Sequence, residues 1–86
     1  MNTAFLLMAQ YDGLAVIPLH RVCSDYFAHL TPPKLLEKVR SGEISLPIIR
    51  IEASQKAAKG VHLQDLAAYI DTQREAARRD LENMHC

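Results

Sequence analysis

Hydrophobic and polar positions change period several times along the chain, and each change marks a predicted element. "AFLLMAQY" reads as a helix that Asn2 or Thr3 can cap and that Gly13 is placed to end in a left-handed turn. "LAVIPL" is a short β-rich run, and Pro18 confines it to a sheet edge or a strand end. "HRVCSDYFAHL" predicts a helix with Val22, Tyr26 and either Phe27 or Leu30 at core spacing. Thr31 then opens another as N-cap, with Pro32 at the first position, where no amide donor is needed, and Pro33 still in the first turn. Leu35, Leu36 and Val39 form its apolar stripe, Gly42 ends it, and Lys34, Glu37, Lys38 and Ser41 fall on the opposite face.

After that helix the period shortens. "ISLPIIRIE" predicts a strand with Ile48 and either Ile49 or Ile51 inward, "ASQKAAK" a turn, and "GVHL" a short returning strand. The last helix follows from residues 65–70, and an apolar stripe of Leu63, Leu66, Ile70, Ala77, Leu81 and Met84 extends it to about residue 83.

At 86 residues the chain has room for one small core, burying about 60% or somewhat more of the unfolded surface. The expected division is one domain over residues 1–71 and a C-terminal helical extension over 72–86. A hydrophobic content of 49% argues against disorder. No apolar run approaches the roughly 20 residues that span a bilayer, and "TAFLLMA" is short and lacks a basic leader. The expectation is a soluble, cytoplasmic protein without membrane contact. Two cysteines far apart, Cys23 and Cys86, suit a reducing compartment better than a disulfide framework.

A formal net charge of zero hides a segregation. Residues 1–30 carry Arg21 against Asp12 and Asp25, whereas residues 31–60 carry Lys34, Lys38, Arg40, Arg50, Lys56 and Lys59 against Glu37, Glu43 and Glu52. Residues 61–86 are acidic again, with three arginines against five acids. The central surplus falls on one helix and one hairpin. Two helices joined by a short turn and followed by a hairpin with a basic tip is the order of a winged helix-turn-helix. The expected fold class is therefore α+β, mainly helical: a winged helix-turn-helix with a small antiparallel β-hairpin wing and a long C-terminal helix.

Other chemistry is poorly represented. His20, His29, His62, His85, Cys23 and Cys86 show no zinc-ligand spacing, and three glycines build no phosphate-binding loop. No catalytic residue, metal or cofactor is expected.

The segments "MNTAFLLMAQY", "AVIPL", "RVCSDYF", "LTPPKLLEKV", "GEISLPIIRIE" and "SQKAAKGVHLQDLAAYID" resemble, in that order, the pyocin activator protein family. These are small bacterial transcriptional activators of bacteriocin and phage-tail gene clusters. The resemblance runs from Met1 to about Asp71, with "SQKAAKGVHLQDLA" its most specific part, and the order of elements also resembles excisionase and MerR-like winged-helix proteins. It implies a promoter-binding activator switched on after DNA damage.

Each candidate DNA contact has a physical task. Lys34 and Lys38 can donate to phosphates or guanine edges, and Thr31 can donate its hydroxyl to a phosphate beside the helix N-terminal amides. Arg40 lies near the end of the same helix. Ser54 and Gln55 are short polar groups at the wing tip, Gln55 able to reach base edges, with Lys56 and Lys59 supplying charge. Arg50 points outward toward DNA if Ile49 and Ile51 face inward, and otherwise pairs with Glu52 or a C-terminal acid. Promoter duplex DNA is the expected partner, RNA polymerase a further candidate, and a homodimer through the last helix is expected from the continuing stripe. An excisionase-like architectural protein or a protein-binding antirepressor would use the same basic face.

Overall fold

A computed structural model describes residues 2–52 and 58–84. Asn2 starts α1 (Thr3–Gln10), its side-chain oxygen accepting the Ala4 amide at 2.8 Å, and the chain reverses through Asp12 and Gly13, both at positive φ. β1 (Val16–Pro18) ends at Pro18, which lacks a donor and leads directly into α2 (Leu19–Tyr26). α3 (Pro32–Arg40) begins at Thr31, whose hydroxyl accepts the Lys34 amide at 3.4 Å, and Gly42 follows it at φ +84. β2 (Ile49–Arg50) and β3 (Lys59–His62) form the hairpin, and α4 (Leu63–Met84) follows β3 without a break. His62 Nδ1 accepts the Gln64 amide at 3.0 Å and Asp65 lies in the first turn, both favourable at a helix start.

This is the α+β, mainly helical fold expected, with four helices and an antiparallel sheet among the described residues. The sheet has a third strand whose pairing the sequence pattern does not predict. Its order is β1-β3-β2, with Ile17 opposite Val61, Pro18 opposite Gly60 and Ile49 opposite Gly60. A bond from the Leu63 amide to the Ala15 carbonyl, 2.9 Å, continues the β1–β3 ladder to the start of α4. Gly60 makes the close approach possible: a Cβ there would meet the Ile17 carbonyl oxygen and Val16 Cγ1 at 2.7 Å.

Two elements are shorter than expected. The strand begins only at Ile49 because residues 43–48 run unpaired past Pro47, dropping Ile44 and Leu46 into the core while the Ile44 amide bonds back to the Lys38 carbonyl. Ile51 is 65% exposed, so of the two alternatives Ile49 is the more covered. The helix at 20–30 stops at Tyr26, which faces outward. Phe27, just past the end, is the core residue and packs against Tyr69 of α4 at 5.8 Å between rings.

The core gathers Leu7 of α1 and Tyr11 just past its end, Ile17, Val22 and Cys23, Leu35 from α3, Leu46, Val61 and Leu66. Tyr11 is fully buried, yet its hydroxyl donates to Asp25 at 2.6 Å and Arg21 sits 4.8 Å over its ring, so one side chain ties α1 to α2. Burial, then the hydrogen bond and charge of Asp25, hold the phenol protonated far above its ordinary range. α4 enters the core with Leu63, Leu66 and Ala67, and from Asp71 to Met84 every residue is exposed. The radius of gyration is 14.4 Å. A fully compact domain of this length would have about 12 Å, and the difference reflects the projecting half of α4. No helix of the described residues is long and apolar enough to cross a membrane.

Gly60→Ala should destabilise the fold by about 1–3 kcal/mol, because the nearest obstacle is backbone, which cannot rotate away. Urea unfolding at neutral pH measures it. The Tyr11 shift has a definite sign: a raised folded-state value gives stability that is whole below the unfolded value of about 10 and is lost as pH rises above it. Urea midpoints should therefore fall from pH 8 to pH 11, and Tyr11→Phe should flatten that decline.

Candidate nucleic-acid interface

The cations of α3 fall on two flanks of the helix. Leu35 is buried and Leu36 and Val39 are half-buried, which turns Lys34, Glu37 and Ser41 to solvent and sets Arg40 and Lys38 to either side. On one flank, Arg40 meets the hairpin. Leu36, Val39, Arg40, Ile48, Arg50 and Lys59 line a depression of about 110 Å³, so cations from α3, β2 and β3 converge over an apolar floor. Arg50 and Lys59 are opposite each other in the β2–β3 ladder, which fixes their juxtaposition. The adjoining hollow continues this surface along α2 and α3, lined by Leu19, His20, Pro32, Pro33, Leu36, Ala58 and Lys59.

On the other flank, both lysines are held by carboxylates. Lys34 Nζ lies 3.3 Å from Glu37 within the helix, and Lys38 Nζ lies 2.8 Å from Glu43 in the following turn. Lys34, Glu37, Lys38, Ser41 and Glu43 together line one open hollow. These pairs are solvent-exposed, each worth at most about 1 kcal/mol, and a phosphate oxygen can replace either carboxylate at little cost.

Thr31 sits exposed at the head of α3. Its oxygen accepts from the Lys34 amide, which leaves the hydroxyl proton to donate outward. The expected help from helix N-terminal amides is small here, because Pro32 and Pro33 carry no N–H and the Lys34 amide is engaged by Thr31. Any anion at this end depends on the Thr31 hydroxyl and the Lys34 ammonium. Ser54, Gln55 and Lys56 lie outside the described residues.

The structure thus brings Arg40, Arg50 and Lys59 together and sets Lys34 and Lys38 apart from them. Sequence reasoning misses His20, which stands at the α2 start beside Lys59 and the two prolines. Charge counting gives a neutral imidazole no weight, and the contact depends on the β1–β3 pairing that places α2 against the hairpin. Among the described residues no group of three His, Cys, Asp or Glu side chains is arranged to hold a metal ion.

A family model described as "Pyocin activator protein PrtN" matches residues 3–77, past Asp71 where the resemblance read from the sequence ends. The chain belongs to the pyocin activator protein family, and is accordingly a DNA-binding transcriptional regulator of a pyocin-like gene cluster rather than an enzyme. No curated protein and no solved structure matches it.

Because the α3 lysines make only exposed pairs, Lys34→Ala and Lys38→Ala should each change the free energy of unfolding by less than about 1 kcal/mol. Urea titrations of both variants check this, and a larger drop in stability would show that the pairs hold α3 in place.

Proposed function

We propose that this regulator is a sequence-specific activator that reads promoter DNA with α3 in the major groove and lays the β2–β3 hairpin along the backbone or the minor groove. The observation that carries the reading is the convergence of Arg40, Arg50 and Lys59 between α3 and the hairpin. A helix inserted in a groove has phosphates rising on both sides, and this cluster supplies cations where helix and wing would meet one strand. Lys34 and Lys38, on the exposed and opposite parts of α3, are then the candidates for base edges or the second strand, with Thr31 donating to a phosphate at the helix head.

Lys59 supplies charge on the hairpin in this reading, and Ser54, Gln55 and Lys56, outside the described residues, are further candidate contacts, with Gln55 the candidate for a base edge. RNA polymerase is the partner an activator of this kind has to recruit or reposition. Exchange of Glu37 and Glu43 for phosphate accounts for how a chain of zero net charge binds a polyanion: the carboxylates hold the lysines in the free protein and give them up on binding.

The salt dependence of binding tests the phosphate contacts. If about five of the six central cations neutralise phosphates, log K against log salt should have a slope of roughly −4 to −5 per subunit, and a nearly flat dependence would dismiss the reading. Alanine at Arg40, Arg50 or Lys59 should weaken all sequences alike and make the slope shallower by about one for each phosphate no longer neutralised. Alanine at Lys34 or Lys38 should instead relax preference at one base pair by about 1–3 kcal/mol if that lysine reads a base. Footprinting combined with a promoter reporter separates the classes: protection with activation supports the activator, protection alone an architectural protein, and neither an antirepressor.

A further inference from the structure

We propose that a second copy of this chain covers the projecting half of α4, the two helices pairing antiparallel about a two-fold axis near Ala77. The face that carries Leu63, Leu66 and Ile70 into the core continues past Asp71 as Ala77, Leu81 and Met84. There none of the described residues covers it: Leu81 is 56% and Met84 80% exposed. Exposed helix propagated from the packed half gains little stability of its own, and packing of this face on a partner adds to it.

Charge identifies the partner and its direction. Along the projecting segment Asp71 accepts from Thr3, and after it the cations Arg74, Arg78 and Arg79 come first and the acids Asp80 and Glu82 last, with Glu75 the exception. Arg78 reaches Glu75 at 3.4 Å on the same helix, an exposed pair of small worth. Among the described residues the last turn of α4 holds no basic residue, so Glu82 and its neighbour Asp80 oppose the helix dipole at that end. An antiparallel second copy sets its arginine stretch beside these acids and offers its own acids in return. A parallel copy sets arginine on arginine and acid on acid.

The geometry of the crossing agrees. Ala77 is small enough to let the two backbones approach at the axis. Met84 and Ile70 both lie seven residues from it, about 10 Å along the helix, so Met84 of one copy stands level with the half-buried Ile70 of the other. That is where α1 begins, with Thr3 donating to Asp71 at 2.6 Å, so the partner's last turn ends beside the junction of α1 and α4. The two-fold also gives the assembly a pair of α3 helices related by symmetry, which suits inverted half-sites.

The test uses no DNA, so its outcome is separate from that of the promoter reading. Sedimentation equilibrium of the full chain at tens of micromolar should give a dimer, and a monomer would overturn the proposal. Leu81→Asp should weaken the dimer by more than about tenfold, with far-UV circular dichroism confirming that the domain remains folded; an undiminished dimer would place the interface elsewhere and sink the proposal. Direction is read by mild oxidation in a Cys86→Ser background. Ala77→Cys should cross-link to itself and Leu81→Cys should not, whereas efficient cross-linking at both would overturn the antiparallel arrangement.

Discussion

The close pairing of β3 between β1 and β2 at Gly60 is the constraint on which the remaining structure depends. Gly60 lies opposite Pro18 on one side and Ile49 on the other, and no side chain fits between its Cα and the Ile17 carbonyl. β1 leads directly into α2, β2 carries Arg50, and β3 carries Lys59 and runs directly into α4. A shift of one residue in either ladder would move every side chain of β3 to the other face and turn Val61 out of the core. The position of the hairpin relative to α3, and hence the convergence of Arg40, Arg50 and Lys59, follows from that register.

The punctuation of the fold was legible because it is local. Asn2, Thr31, Pro32, Gly13, Gly42 and Pro18 act within a few residues of themselves, and each stands where its own chemistry requires it. What the sequence left obscure depends on distant neighbours. Pairing of β1 with β3 joins residues more than forty positions apart, and no periodicity reports it. Tyr26 and Phe27 are both large and aromatic at adjacent positions, so only the point at which α2 ends decides that Phe27 turns inward. Tyr11 reads as one more apolar residue just past α1, although its bond to Asp25, with that of Tyr26 to Gln10, ties the end of that helix to α2.

The same division runs through the candidate site. The exposed placement of Lys34 and Arg40 follows from helical period alone. Their partners do not: Glu43 reaches Lys38 because Gly42 reverses the chain after α3, and Arg40 faces Lys59 because the sheet brings β3 there. Charge counting assigns six cations to one surface, whereas folding separates the described ones into a clustered group and a group neutralised in place. The distinction matters energetically. In the proposed complex Lys34 and Lys38 each give up an exposed ion pair worth little before they meet a phosphate.

The acidic third of the chain bears on this balance through distance. Asp80 and Glu82 lie about 25 Å or more along α4 from its start beside β3. That separation is several times the Debye length of about 8 Å at physiological ionic strength, so their charge is screened from Lys59 and Arg50. A long projecting helix therefore lets one small chain carry a basic surface and an acidic segment without either cancelling the other, although the formal sum is zero. In the proposed dimer the acids also acquire arginines from the second copy, so the negative end of each helix is neutralised within the assembly and contributes little repulsion toward bound DNA. Under these two proposals the neutral composition describes two surfaces with separate partners, one turned to phosphate and one turned to the chain's own copy.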